Sequence, residues 1–412
     1  MIHLDHNATT QPCDEAIEAA EACMREHWHN PSSVHRAGQA ARQEVERARG
    51  SVAELLGVKP RDITFTSCAT EAIDLAHRGV MSLAAPAGRP VILTTAIEHE
   101  AVRDICEALT KPPSEGGVGA EVEHIRVDRT GSVDLGHLDE LLDTHADRVG
   151  MVSVQWANNE TGTYQPVGAI GQRCKAREVV FFCDATQWIG KMPTQIDQPR
   201  SPFGAERMAT DDDAVHIDLL CLSGHKFHGL KGAGALFASR TIRLRPQILG
   251  AQEKGRRGGT EAVPAIAALG AACRRASEWL RDGAGRDRVA ELRDRLESRL
   301  LERVEGSHRN GPAGRDDRLW NTTNIAFPGC EAEALLLQFS ERGLAASAGA
   351  ACSSGSLDPS PVLLAMGVEP VSAHGSIRFS LSRDTTDDEI DRAIEIVTSC
   401  VERVRRAGVS AG

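Results

Sequence analysis

No run of about 20 consecutive apolar residues occurs in the chain, so no membrane-spanning helix is expected. The first residues, Met1-Ile2-His3-Leu4-Asp5-His6-Asn7, have neither a basic stretch nor an apolar one, so no export signal is expected and the cytoplasm is the default compartment. Positive charge is in deficit. The formal net charge is -11, which argues against nucleic acid as the main partner. The 11 cysteines form no Cys-x-x-Cys pair and no zinc-type spacing with histidine. Most are therefore expected to be reduced and buried, and no metal is expected.

What is present is ordinary for a globular protein: 41% apolar and 25% charged residues over 412 positions, a length that suits two cores better than one. Short apolar runs alternate with helix-forming stretches over the first 260 residues. Runs at 63–66, 91–94, 149–154, 179–183 and 217–222 read as strands. Residues 14–24, 37–56 and 70–80 read as helices. This alternation predicts an α/β fold with a mostly parallel sheet covered on both faces. After Pro264 the pattern changes. Residues 265–302 are nearly all helix-forming, and an α+β unit comes next, with a last helix at 387–405. The expected division is a large unit at 14–262 and a smaller one made of 1–13 and 263–412. Residues 197–213 hold Pro, Gly and a triple Asp and read as a surface insertion.

In parallel α/β sheets, ligands sit beyond the carboxyl ends of the strands. The strand at 63–66 ends in Ser67-Cys68-Ala69-Thr70-Glu71 and opens a helix, where free N–H groups suit a phosphate. The same residues also read as an ordinary helix cap. The next strands end near Glu98-His99, Asn158-Asn159-Glu160, Asp184-Ala185-Thr186-Gln187 and Ser223-Gly224-His225-Lys226. A phosphate cradle, a flat ring, a carboxylate and a lysine on one edge are what pyridoxal 5'-phosphate needs: the lysine for a Schiff base, the carboxylate to keep the ring nitrogen protonated.

These segments resemble the cysteine desulfurase family, the sulfur-mobilising branch of the class V aminotransferase fold. The resemblance runs in order over nearly the whole chain. It includes Leu4-Asp5-His6-Asn7-Ala8-Thr9-Thr10, Asn30-Pro31-Ser32-Ser33, Ala69-Thr70-Glu71, Glu98-His99, Asn158-Asn159-Glu160-Thr161-Gly162, Asp184-Ala185-Thr186-Gln187, Ser223-Gly224-His225-Lys226, Arg257-Gly258-Gly259-Thr260, Ala351-Cys352-Ser353-Ser354-Gly355-Ser356 and Ser376-Ile377-Arg378-Phe379-Ser380. Three positions depart from the common pattern: Cys68 where Gly is usual, Leu230 where Pro is usual, and the bulky Trp188.

The resemblance implies a fold-type-I transferase dependent on pyridoxal phosphate, with a seven-stranded, mostly parallel sheet. It implies that Lys226 forms the Schiff base, Asp184 pairs with the ring nitrogen, His99 stacks on the ring, and Gln187 bonds the ring oxygen near Asn159. Ala69, Thr70, Ser223 and His225 would hold the phosphate, with Thr260 reaching in from the second subunit of a homodimer. Asn30 and Arg378 would grip the carboxylate of L-cysteine. Cys352 would take the sulfur as a persulfide and pass it to an acceptor protein, for iron–sulfur assembly or for thio-modification of tRNA or DNA. By composition alone, the small residues at 347–356 fit either a mobile nucleophile or a plain flexible loop. A swinging loop is expected over about 345–357. A selenocysteine lyase or an aminotransferase on the same fold stays open as an alternative, and so does a non-catalytic scaffold.

Overall fold

A computed structural model describes residues 1–196, 215–281, 283–348 and 358–410. The expected insertion at 197–213 and the candidate nucleophile Cys352 lie outside the described residues. In chain order the elements are β1 (Ile2–His3), α1 (Asp14–Glu26), α2 (Arg36–Leu56), β2 (Ile63–Thr66), α3 (Ala69–Ala84), β3 (Val91–Thr95), α4 (Glu100–Thr110), β4 (Glu121–Ile125), α5 (Leu135–His145), β5 (Val149–Gln155), α6 (Val167–Ala176), β6 (Val180–Asp184), β7 (Leu219–Ser223) and β8 (Gly234–Ala238). Then come α7 (Val263–Trp279), α8 (Ala284–Arg303), β9 (His308–Asn310), β10 (Thr322–Ala326), α9 (Ala332–Glu341), β11 (Leu344–Ala345), α10 (Pro361–Ala365), α11 (Pro370–His374), β12 (Ser376–Ser380) and α12 (Asp387–Ser410).

The main sheet has seven strands in the order β2-β8-β7-β6-β5-β3-β4. Only β8 runs against its neighbours, β2 and β7; the pairs β3/β4, β3/β5, β5/β6 and β6/β7 are parallel. The mostly parallel sheet expected from the alternating runs is thus present. Strands alternate their side chains between two apolar layers, as a period of two requires. Leu220 and Leu222 face the layer that contains α2, α5, α6 and α7, while Leu219 and Cys221 face the layer that contains α3 and α4. Phe181 and Phe182 divide in the same way. With both faces covered, β5 reads as an unbroken buried run.

Two strands were not legible as such. β4 is an edge strand, largely exposed, and its Glu121-Val122-Glu123-His124-Ile125 has no apolar run. β8 comes after a glycine-rich turn and starts at Gly234 itself. The long helical stretch expected at 265–302 is two helices, broken between Leu280 and Gly283. The first of them, α7, packs into the main core against α1 and α2. A Cβ at Gly270 would lie 2.7 Å from the Ala48 Cα, so glycine allows α7 its close approach to α2. The second core therefore begins later than the change of sequence pattern near 262. Its first helical residue is Val289, on α8. It gathers α8, α9, α12, the antiparallel sheet β12-β10-β9 and, from the start of the chain, Ile2 and Leu4. No described helix is long and apolar enough to cross a membrane.

Candidate active site

The carboxyl ends of β6 and β7 and the segment Asp5–Thr10 build the centre of the site. Asp184 is the last residue of β6 and is buried. Its Oδ1 accepts from the Thr186 N–H at 2.9 Å and from the Cys221 thiol on the next strand at 3.2 Å. β7 ends at Ser223, and a single 3₁₀ turn, Gly224–Lys226, carries the lysine. The N-terminal segment crosses over this turn. Thr10 donates its N–H and its hydroxyl to the His225 carbonyl, each at 2.9 Å. Lys226 Nζ donates to the carbonyls of Asn7 (2.8 Å) and Ala8 (2.9 Å). His225 Nδ1 lies 3.1 Å from the Thr9 hydroxyl, and burial, then Lys226, lowers its pKa to about 4.

His99 caps α4 at the end of β3. Its Nδ1 accepts the Ala101 N–H at 3.1 Å, so in the neutral ring the proton sits on Nε2. Burial lowers its pKa; the nearby charges of Asp184, which raises it, and Lys226, which lowers it, act in addition. Gln187 donates through Nε2 to the Asn7 carbonyl at 3.0 Å. The Asn159 carbonyl accepts from Asn7 Nδ2 and from Arg378, each at 3.1 Å. Arg378, buried on β12, also pairs with Asp5 at 2.7 Å, and its Nε is buried without a partner among the described residues. Lys226, His99, Asp184, Gln187, Asn159 and Arg378 are thus linked through the N-terminal segment or through each other's charge.

Ala69 and Thr70 open the sixteen-residue helix α3. The residue at the cap is Cys68, whose side chain makes no capping hydrogen bond to the helix, so the ordinary-cap reading of this segment does not hold. Asn30 and Thr260 are exposed. Asn30 Oδ1 accepts the N–H of Ser32 at 2.9 Å, and Thr260 stands just after a loop tied to α3 by the Arg257–Glu71 ion pair at 2.7 Å. Neither is hydrogen-bonded to Lys226 or Asp184 among the described residues.

Residues 2–393 match the family model for class-V aminotransferases. A cysteine desulfurase of Trichormus azollae is 42% identical over 98% of this chain and 94% of its own length. The cysteine desulfurase NifS of Azotobacter vinelandii is 40% identical over 98% and 93%. A solved NifS-like protein superposes with a TM-score of 0.85 at 32% identity, over 98% of this chain and 99% of that one. The chain belongs to the class-V aminotransferase family, among its cysteine desulfurases.

Members of this family depend on pyridoxal 5'-phosphate, and the residues present fit that group. The Ser223 hydroxyl is buried with no partner among the described residues, a costly state that a phosphate oxygen would relieve. In register opposite Ser223, Gly234 passes so close to the start of α3 that a Cβ there would lie 2.6 Å from the Cys68 backbone. β7, β8 and the N-terminus of α3, which has no side-chain cap, therefore form one tight cradle suited to an anion. Asp184 ends the neighbouring strand β6, and Lys226 follows Ser223 by one short turn at the tip of β7.

Two residues at the centre of this desulfurase-family site had no role in the sequence reading. Asn7 uses its carbonyl for Lys226 and Gln187, and its amide for Asn159, Thr322, Asn321 and Lys191. Glu98, next to His99, accepts from the Thr95 hydroxyl at 2.7 Å, and its other oxygen is buried and unpaired among the described residues. Burial pushes its pKa up to about 8. Asn7 stands in the N-terminal run that carries the resemblance, but its main-chain role has no sequence signal.

Proposed function

We propose that this chain removes sulfur from L-cysteine with pyridoxal 5'-phosphate, giving L-alanine and a persulfide on Cys352. The observation that carries the reading is the meeting of Lys226, Asp184 and the unpaired Ser223 hydroxyl at adjoining strand ends, in a chain of this family. When bound, the cofactor supplies an electron-accepting ring that weakens the bond between the substrate β-carbon and sulfur.

The chain's residues do the rest. Lys226 attaches the cofactor and, once released, moves the proton at the substrate α-carbon. Asp184 faces the ring nitrogen as a carboxylate. His99 covers the ring and, with its proton on Nε2, acts as acid and base near the substrate sulfur. Gln187 donates to the ring oxygen, with Asn159 beside it. Ala69, Thr70, Ser223 and His225 hold the phosphate, and Thr260 of a second copy completes that pocket in a homodimer. Asn30 and Arg378 bind the substrate carboxylate. The Cys352 thiolate attacks the substrate sulfur. A sulfur–sulfur bond forms as the carbon–sulfur bond breaks, its electron pair stays with carbon, and protonation of that carbon completes alanine. The persulfide then passes to an acceptor protein in the cytoplasm, for iron–sulfur cluster assembly or thio-modification.

The test is release of alanine and sulfide from L-cysteine with a thiol present, wild type beside Cys352→Ala. Loss of both products in the variant supports the reading. Turnover retained without the thiol would assign aminotransferase-type or lyase chemistry instead.

A further inference from the structure

Lys191 lies four residues beyond Gln187 and is buried, 4% exposed. Lysine is almost never buried without an anionic partner. Here Nζ donates to two neutral amide oxygens, Asn7 Oδ1 at 2.9 Å and Gln187 Oε1 at 2.6 Å. Burial, and after it the charges of Lys226 and Arg378, pushes its pKa well below the ordinary lysine range. Protonated or not, an amine at this place can donate to both oxygens.

Gln187 and Lys226 meet at the main-chain carbonyl of Asn7. The Asn7 carbonyl accepts from Lys226 Nζ at 2.8 Å and from Gln187 Nε2 at 3.0 Å. An amide side chain is nearly symmetric in shape, so packing alone does not decide which end carries the oxygen. A donor at one end decides it. With Oε1 of Gln187 taken by Lys191, Nε2 must point the other way. The Trp320 indole N–H bonds the Lys191 carbonyl at 2.9 Å and holds this turn in place.

We propose that Lys191 is a positioning residue: by donating to Gln187 Oε1 it turns Gln187 Nε2 toward the Asn7 main-chain carbonyl, which also accepts from Lys226, and toward the ring of the cofactor, while its bond to Asn7 Oδ1 holds the Asn7 side chain with Nδ2 on Asn159 and Thr322. The inference rests on the reading that pyridoxal phosphate binds at Lys226. It adds a residue that touches neither cofactor nor substrate.

The experiment reconstitutes the cofactor-free protein with pyridoxal 5'-phosphate and reads three quantities: the dissociation constant, the wavelength of the bound-cofactor absorption band, and the melting temperature before the cofactor is added. Lys191→Met is expected to weaken binding about tenfold, the equivalent of one well-made buried hydrogen bond, and to shift the band. Lys191→Gln, which keeps an N–H donor, is expected to recover most of both. In a Gln187→Ala background, Lys191→Met should cost clearly less than it does in the wild type, because the group it orients is gone. If the Met variant fails to fold, Lys191→Ala, which also removes the donor, is judged alone and with Gln187→Ala on the same band and the same non-additivity. An unchanged affinity and band in a folded Lys191→Met, or an equal loss in both backgrounds, overturns the proposal. A wild-type protein with no band overturns the cofactor reading as well, so the two failures are distinct.

Discussion

Glu297 on α8 in the second core and Glu98 at the end of β3 are both buried carboxyl groups, and their surroundings differ in kind. Glu297 accepts from Arg318 at 2.6 and 3.0 Å, from Arg309 at 2.9 Å and from the Thr323 hydroxyl at 2.5 Å. Burial pushes its pKa up, and the arginines and the hydroxyl more than reverse this, so it ends below the ordinary value. Glu98 has no cation against it among the described residues: burial dominates, and the Thr95 hydroxyl and the Gln155 main chain offset only part of it. The contrast extends beyond these two residues. In the second core a buried anion is met by cations of the same chain. At the carboxyl ends of the main sheet's strands the Ser223 hydroxyl and a Glu98 carboxyl oxygen have no partner of either charge among the described residues, whereas the unpartnered atom in the Glu297 network, Arg318 Nε, belongs to a side chain that already makes two ion-pair bonds. Buried polar groups are normally satisfied. A hydroxyl left unsatisfied at the tip of β7, beside Asp184 and Lys226, marks a place built for something other than the chain itself.

The largest effect should come from breaking the satisfied side. Arg318→Met leaves Glu297 short of two donors in a buried place, and a loss of about 3–5 kcal/mol is expected. Urea unfolding of the cofactor-free protein measures it; a loss below about 1 kcal/mol would mean that the network is not what holds Glu297.

Glu98 gives a smaller effect with a definite sign. Its folded pKa of about 8 lies above the ordinary carboxyl value of 4.5, so between these pH values the folded state keeps a proton that the unfolded state has released. Stability should therefore fall as pH rises through that window, by a few kcal/mol at most. Glu98→Gln should remove this decline. Unfolding curves of the cofactor-free wild type and variant at several pH values decide it, and equal slopes would refute it.

Ser223→Ala should have the least effect on folding. Removing an unpaired buried hydroxyl should change the stability of the cofactor-free protein by under about 1 kcal/mol in either direction. Affinity for pyridoxal phosphate, measured on the same variant, should fall by about tenfold. A destabilised cofactor-free protein with unchanged affinity would place Ser223 on the structural side of the comparison.

Much of the fold was legible because strand interiors are apolar and strand tips are not. β3, β5, β6 and β7 came from their apolar runs, and Asp184, Ser223 and Lys226 from the polar residues at the ends of those runs. β4 was not legible because an edge strand does not need an apolar run. The extent of the main core was not legible from composition, since α7 and α8 are both helix-forming and differ only in what they pack against. Lys191 had no signal: a lysine after glycine reads as a solvated side chain.

The order of residues by itself determined which groups stand at which strand end, because a strand of four to seven residues between helices leaves little freedom about where its tip lies. Tertiary structure decided the rest. Lys226 meets the Asn7 carbonyl across 219 residues, Lys191 meets the Asn7 side chain across 184, and Arg378 meets Asp5 across 373. Such contacts depend on how the N-terminal segment lies over the sheet edge. Main-chain carbonyls take part in them, and a carbonyl carries no letter in the sequence.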